Sequence, residues 1–241
     1  VGRFAPEAAG HGTDAAIEAY HFHGGKVRAR VPPIKAVMTS ILIGTGGSAG
    51  LEGPVAQFGA GCGSTLASLL RLPVPQRRIL MAAGMAGGIG ALFHAPMAGA
   101  LFAAEEMYRD LDLEYEVLIP SVIASVTAHS VFASVLGFHT LFETPVLAFH
   151  HPRELLPYLL LAVVVAAGSR GFTWFFYAVH DLFHRWRLPP VLKPALGGLG
   201  TGIVGFFFLP ALGAGYGTIQ RALVHGTPLA EVYGPISFGL L

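Results

Sequence analysis

The stretch Gly-Gly-Ser-Ala-Gly-Leu-Glu-Gly-Pro occupies residues 46–54 and places one carboxylate among four glycines. Glu52 is the one Asp, Glu, Lys or Arg between Lys35 and Arg71. Glycines let backbone N–H groups approach a ligand, and Pro54 suits the first turn of a helix. A glycine-rich loop that leads into a helix N-terminus favours anions, because free N–H groups and the helix dipole both attract negative charge. The stretch therefore predicts a break between two helices, with an anion site at the break.

Long runs without charged residues surround this break. Asp, Glu, Lys and Arg are absent from residues 79–104, 117–142 and 194–220, and from the shorter runs 36–51 and 53–70. The 241 residues are 53% hydrophobic and only 12% charged, about half the charged share of a soluble domain. A helix needs roughly 20 apolar residues to cross a bilayer. The pattern predicts an all-α, multi-pass membrane protein.

Composition also excludes several classes of protein. The 15 basic and 14 acidic residues give a net charge of +1, which excludes an electrostatic nucleic-acid binder. The high apolar content excludes a disordered tail. The single Cys62 excludes a disulfide framework and a multi-cysteine metal site. Because the sequence starts with Val1 and stops inside an apolar run, we expect a fragment that is incomplete at both ends.

The 32 glycines and 17 prolines lie inside the apolar runs as well as between them. Interrupted membrane helices are typical of transporters whose discontinuous helices meet near the midplane. We therefore expect broken, tilted helices. They are predicted at about residues 13–23, 33–45, 54–70, 76–92, 95–107, 116–136, 152–186, 192–208 and 217–224, with a further segment opening near Pro235.

One short block of sequence occurs twice. Phe-Ala-Pro at residues 4–6, followed by Gly-His-Gly-Thr at 10–13, resembles Phe-Leu-Pro at 208–210, followed by Gly-Tyr-Gly-Thr at 215–218. Each block leads into a helix that ends with a histidine and a glycine. In a membrane protein with broken helices, such an echo indicates two structural repeats.

The position of Glu52 suggests a coupling between anions and protons. Its carboxylate can occupy the anion site at the start of its own helix, so a free anion has to displace it. Protonation would neutralise the carboxylate and free the site. The alternative is that Glu52 only caps the helix, although capping requires neither the glycines nor the cost of a carboxylate at membrane depth.

Two further groups carry candidate residues. The segment Gly-His-Gly-Thr-Asp at 10–14 is a second candidate anion site, or else a surface turn with a helix cap. Glu105 and Glu106 follow the charge-free run 79–104, and an intramembrane acid is a candidate proton relay. These two acids point about 100° apart on a helix, so at most one faces the interior. The alternative is that both acids mark the membrane–water boundary, since Arg109 and Asp110 follow.

A serine hydrolase and a histidine metal site have less support in the sequence than an anion transporter. Residues 46–50 match the G-x-S-x-G nucleophile elbow, which would make Ser48 the nucleophile of an intramembrane serine hydrolase. That elbow needs a preceding strand and an α/β sheet, and no such alternation follows. The histidine pairs at 21/23, 150/151 and 180/184 lack a metal-binding motif, so no metal site is predicted.

Several motifs, taken in order, resemble the CLC family of chloride channels and chloride/proton exchangers. Residues 50–54 (Gly-Leu-Glu-Gly-Pro) resemble the G-x-E-G-P signature of that family. Residues 84–107, with Phe-His-Ala-Pro-Met-Ala-Gly at 93–99, resemble the stretch that follows the signature. Residues 31–35 resemble the helix that leads into it. The likeness covers residues 4–107 and extends more loosely over the rest.

The resemblance implies a role for each of two glutamates. Glu52 corresponds to the external gating glutamate. Glu106 corresponds to the internal proton-transfer glutamate of the exchangers, an acid that channels usually lack. The implied function is proton-coupled chloride exchange. A passive channel for chloride or another halide is the alternative, and fluoride selectivity is a weaker variant.

The resemblance also implies a chloride site with three departures from the family pattern. The expected chloride-binding residues are Gly10, His11, Gly12, Gly50, Leu51 and Gly53. His11 stands where the family usually has a serine, and Thr13-Asp14 stands where it has Ile-Pro. Leu51 replaces a basic residue, so the attraction of anions should be weaker.

Placed on the family layout, the chain is a partial transmembrane domain with two inverted repeats. Residues 1–150 or so are the rest of the first half, and about 151–241 start the second. The resemblance implies a homodimer in a lipid bilayer, in a bacterial inner (plasma) membrane. The transported species are chloride and protons. We expect no enzymatic activity, no cofactor and no nucleic-acid partner.

Overall fold

The computed structural model describes residues 4–107, 115–144, 151–186, 188–189 and 192–225, and these ranges contain helices but no strand. The all-α prediction is therefore confirmed for this part of the chain. The described residues divide into two compact units. One comprises Val1–Phe142 with Leu212–Tyr216, and the other comprises Glu143–Ala211 with Gly217–Leu241. The segment predicted near Pro235 lies outside the described residues.

The first unit contains six α-helices after a short 3-10 helix, Pro6–Ala8. These are α1 (Thr13–Phe22), α2 (Val31–Gly44), α3 (Glu52–Leu69), α4 (Val74–Leu92), α5 (Pro96–Met107) and α6 (Tyr115–Leu136). The predicted bounds of all six agree with the structure to within three residues at each end.

Local chemistry explains where these helices begin and end. Prolines stand in the first turns of α2 and α4, where a missing N–H costs no hydrogen bond. Arg71 and His94 follow α3 and α4, and both have a left-handed φ of 54°. A left-handed residue ends a helix by turning the chain out of the helical path. The predicted break between α4 and α5 at residues 94–96 is therefore confirmed.

Small residues form the contact between α3 and α4. A Cβ added at Gly59 would overlap the carbonyl oxygen of Gly84, and one added at Gly63 would overlap that of Leu80. Such close backbone approach between helices is typical of membrane proteins, where small residues line the helix interfaces. Met81 and Met85 of α4 are fully buried in the core beside this contact.

The second unit contains α7 (Leu155–Arg185), α8 (Leu192–Phe207) and α9 (Tyr216–His225), the first residue of α9 being counted with the first unit. No residue of α7 is buried. Its aromatic side chains are exposed, Trp174 by 74%. Two stretches of the described residues are long and apolar enough to cross a membrane: Glu116–Leu136 and Pro152–Arg185.

The repeated sequence block has the same local structure at both positions. The 3-10 helices Pro6–Ala8 and Leu209–Ala211 each precede a glycine-rich turn and then a 10-residue helix, α1 or α9. The first glycine of the matched pair has a positive φ in both copies, at Gly10 and Gly215, whereas Gly12 has a positive φ and its counterpart Gly217 lies within α9. The repeat in sequence is thus accompanied by a repeat of the same order of elements: a 3-10 helix, a turn and an α-helix. The positive-φ glycines are Gly10 (78°), Gly12 (120°), Gly213 (73°) and Gly215 (76°).

Candidate anion site

Glu52 is the first residue of α3, and its carboxylate folds back over the preceding loop. A Cβ added at Gly50 would overlap Oε2 of Glu52, so the carboxylate occupies the space that the glycine leaves open. The residue is half-buried. Among the described residues, no side chain caps the start of α3. The carboxylate therefore lies at a helix N-terminus, where backbone N–H groups favour negative charge.

The second glycine-rich loop, residues 10–12, packs directly against the start of α3. Gly12 is the N-cap of α1, with a φ of 120°. A Cβ added there would lie 2.5 Å from the carbonyl oxygen of Gly53. A Cβ at Gly53 would lie 2.6 Å from both the ring and the carbonyl oxygen of His11. The structure thus packs the loop before α1 against the first turn of α3. Of the six predicted chloride-binding residues, these contacts join Gly12 and His11 to Gly53.

Lys35 of α2 anchors the loop before α1. This lysine is only 4% exposed. Its Nζ donates hydrogen bonds to the carbonyl oxygens of Ala8 at 3.2 Å and Gly10 at 2.8 Å. The bonds satisfy a buried cation and place positive charge behind the loop. Our sequence prediction did not include Lys35; the available signal was its position as the last charge before residues 36–51.

Tyr216 provides a hydroxyl to Glu52. Its Oη donates a hydrogen bond to Oε1 of Glu52 at 3.1 Å. Its ring meets that of Phe142 edge-on, with centroids 5.9 Å apart. Sequence reasoning also missed this residue, which lies 164 positions from Glu52. The only sequence signal was its place in the repeated block, between Gly215 and Gly217.

The predicted proton glutamate lies on another helix. Glu106 is half-buried near the C-terminal end of α5, whereas Glu105 is exposed. Met107, the last residue of α5, is fully buried. Its carbonyl oxygen accepts a hydrogen bond from Nε2 of His21 at 2.9 Å. No hydrogen bond between described residues joins Glu106 to Glu52, whose carboxylate accepts one from Tyr216.

The hydrolase hypothesis lacks its structural context. Ser48 is exposed in the turn between α2 and α3. The residues that precede this turn form helix α2 rather than the strand that a nucleophile elbow requires. The structure therefore does not support Ser48 as an activated nucleophile.

The histidines do not assemble into a metal site within the described ranges. The rings of His180 and His184 stack on α7 with centroids 6.1 Å apart. No group of three or more His, Cys, Asp or Glu side chains in the described part of the chain is arranged to hold a metal ion. His150 lies outside that part.

Comparisons with known proteins identify the family of this chain. The family model described as voltage gated chloride channel matches residues 1–240. The chloride channel protein CLC-f of Arabidopsis thaliana is 33% identical over 202 residues, which are 81% of this chain and 26% of that protein. The H(+)/Cl(-) exchange transporter ClcA of Yersinia pestis bv. Antiqua (strain Angola) is 32% identical over 229 residues, 92% of this chain and 48% of that protein.

A solved structure of a slow cyanobacterial Cl-/H+ antiporter superimposes with a TM-score of 0.80 at 26% identity. The match covers 95% of this chain and 54% of that one. The chain thus spans from about a quarter to about half of the length of these similar proteins. Because the family model matches nearly all of the sequence, the chain belongs to the voltage gated chloride channel family, the CLC family.

Proposed function

We propose that the full-length parent of this chain exchanges chloride for protons across a membrane. The observation that carries the proposal is the position of the Glu52 carboxylate over Gly50, at the start of α3. An anion attracted to this helix N-terminus competes with that carboxylate for the same free backbone N–H groups. Members of the family are transporters rather than enzymes.

Competition between the carboxylate and chloride provides the mechanism. In its ionised form Glu52 excludes the anion by occupying its place and by repelling it. Protonation removes the negative charge, so the side chain leaves and chloride binds at the convergent starts of α1 and α3. Chloride and the ionised Glu52 carboxylate then alternate in one site, which is how a single site couples two ion gradients.

The proton needs a second acid on its way to Glu52, and we assign that role to Glu106. Its half-buried position at the end of an apolar helix supports this assignment, because an ionisable side chain at membrane depth is costly and is found where it has a function. A passive channel is the second candidate function. The acid at position 106 and the exchange transporters among the similar proteins favour exchange.

The exposed apolar helices indicate what surrounds the protein. The stretch Pro152–Arg185 has none of its apolar window buried, and we propose that lipid or a second copy of the protein covers such faces. We further propose a homodimer in a bacterial inner (plasma) membrane that requires no cofactor.

The test is a paired flux measurement on the full-length parent in liposomes. A chloride gradient is imposed, and chloride and proton movements are recorded together for the wild type and for Glu52→Gln. We expect chloride to drive protons uphill in the wild type. In the variant, chloride should still move while proton movement is lost. Chloride flux without proton movement in the wild type would identify a channel, and no chloride flux at all would contradict the proposal.

A further inference from the structure

The hydroxyl of Tyr216 donates a hydrogen bond to Oε1 of Glu52, and Glu52 is the side chain that moves in the proposed mechanism. The distance from Oη to Oε1 is 3.1 Å, a hydrogen bond slightly longer than the usual O–H···O range of about 2.5–3.0 Å. Both side chains are half-buried. The other carboxylate oxygen, Oε2, lies over Gly50. The carboxylate is therefore held between its own loop and the tyrosine.

The ring of Tyr216 packs against one aromatic neighbour. Phe142 contacts its ring edge-on, at an interplanar angle of 88°, a favourable arrangement for two aromatic rings. The segment leading to Tyr216 reaches the glycine-rich break, since a Cβ at Gly46 would lie 3.7 Å from the Leu212 side chain. A fixed ring keeps the hydroxyl directed at one position of the carboxylate.

We infer that Tyr216 is a positioning residue, which retains the Glu52 carboxylate in the position that excludes an anion. The inference rests on the proposed function of Glu52 and adds the side chain that sets how readily Glu52 leaves its place. A hydroxyl that donates to a carboxylate stabilises the ionised form relative to the protonated one. Tyr216 thus opposes the departure of the Glu52 carboxylate, which loses this hydrogen bond when it moves.

Two other charged or titratable groups lie beside the same loops, and no hydrogen bond between described residues joins either of them to Tyr216. The ring of His11 lies against Gly53, and Lys35 lies behind the carbonyl oxygen of Gly10. Neither group is changed by removal of the tyrosine hydroxyl. A substitution that deletes only that oxygen therefore isolates its effect.

The experiment compares chloride flux as a function of pH in liposomes that contain the full-length parent or its Tyr216→Phe variant. The matched control is Tyr158→Phe, which removes the same oxygen from a side chain that is 60% exposed on α7. We expect the pH of half-maximal flux to rise by about one unit in Tyr216→Phe and to stay unchanged in the control. An unchanged midpoint in Tyr216→Phe would overturn the inference.

A second comparison separates action through Glu52 from a structural effect. In a Glu52→Ala background, Tyr216→Phe should no longer change the flux or its pH dependence, because its partner is gone. An equal change in both backgrounds would also overturn the inference. If Tyr216→Phe does not fold, Phe142→Leu loosens the same ring and should raise the midpoint by a smaller amount; no shift there would count against the inference.

The outcomes distinguish this inference from the proposed function. A wild type that passes chloride without moving protons would contradict exchange. The midpoint of chloride flux would still decide whether Tyr216 restrains Glu52, because that measurement needs only a gate that responds to pH.

Discussion

The Nζ atom of Lys35 lies 2.8 Å from the carbonyl oxygen of Gly10, and this hydrogen bond joins the first turns of α2 to the loop that precedes α1. The loop is one side of the proposed chloride site. A cation buried directly behind it favours an anion in front of it, since the interior screens charge weakly.

Replacing Lys35 with methionine should weaken chloride binding and lower stability. The carbonyl oxygens of Ala8 and Gly10 would lose their donor, which costs about 1–3 kcal/mol of unfolding free energy. Chloride titration and unfolding in detergent, on the full-length parent, measure the two effects. Lys26→Met is the control, because Lys26 is exposed. Equal chloride affinity in both variants would contradict the role of Lys35.

Gly12→Ala should disrupt the convergence of α1 and α3, whereas Gly10→Ala should not. Both glycines have positive φ, so both substitutions carry a backbone cost of about 1–2 kcal/mol. Only the methyl group at Gly12 also meets the carbonyl oxygen of Gly53, at 2.5 Å. Chloride affinity is the measurement, and Gly12→Ala should lose at least tenfold more than Gly10→Ala. Similar losses would show that strain alone matters.

The contact between α3 and α4 should be the most sensitive to added volume. Gly59→Ala places a methyl group on the backbone of Gly84, and overpacking of this kind costs about 1–3 kcal/mol. Gly200→Ala on α8 is the matched control, since a Cβ there meets no atom within 4 Å. Thermal unfolding should show a clear loss for Gly59→Ala and little change for the control. A stable Gly59→Ala protein would mean that the two helices separate at little cost.

Neighbouring acids at the end of α5 should differ in their effect on proton coupling. Glu106 is half-buried and Glu105 is exposed. We therefore expect Glu106→Gln to abolish proton movement while chloride still moves, and Glu105→Gln to retain coupling. The paired flux assay on the parent protein distinguishes them. The reverse pattern would transfer the proposed proton role to Glu105.

The pair of Glu7 and Arg28 predicts a pH dependence of stability. The guanidinium of Arg28 donates to the Glu7 carboxylate and holds the pKa of that carboxyl below its ordinary value. A lowered pKa in the folded state means that the stabilisation is complete above the ordinary range of a glutamate. It is lost as the pH falls through the folded-state pKa.

The difference in unfolding temperature between the wild type and Glu7→Gln should therefore be largest near neutral pH and vanish in acid. Because both side chains are about two-fifths exposed, the difference should be small and should shrink in high salt. A difference that grows on acidification would contradict this sign.

Much of the local structure could be predicted from the sequence. The starts and ends of the helices follow from prolines, glycines and the limits of the apolar runs, which act over a few residues. Local signals also predicted that Glu52 lies at the start of a helix. The repeated block could likewise be recognised from sequence, and its two copies have the same order of 3-10 helix, turn and α-helix.

The assembly of the site depends on tertiary structure. The packing of Gly12 on Gly53, the bond from Lys35 to Gly10 and the contact of Tyr216 with Glu52 join segments separated by 25 to 164 positions. Periodicity and turn signals describe only neighbouring residues, so they carry no information on which distant segments meet. The sequence by itself determined where the helices break and which carboxylate lies at a break. Only the packing of the helices decided which side chains surround that carboxylate, because close approach depends on the shapes of both surfaces together.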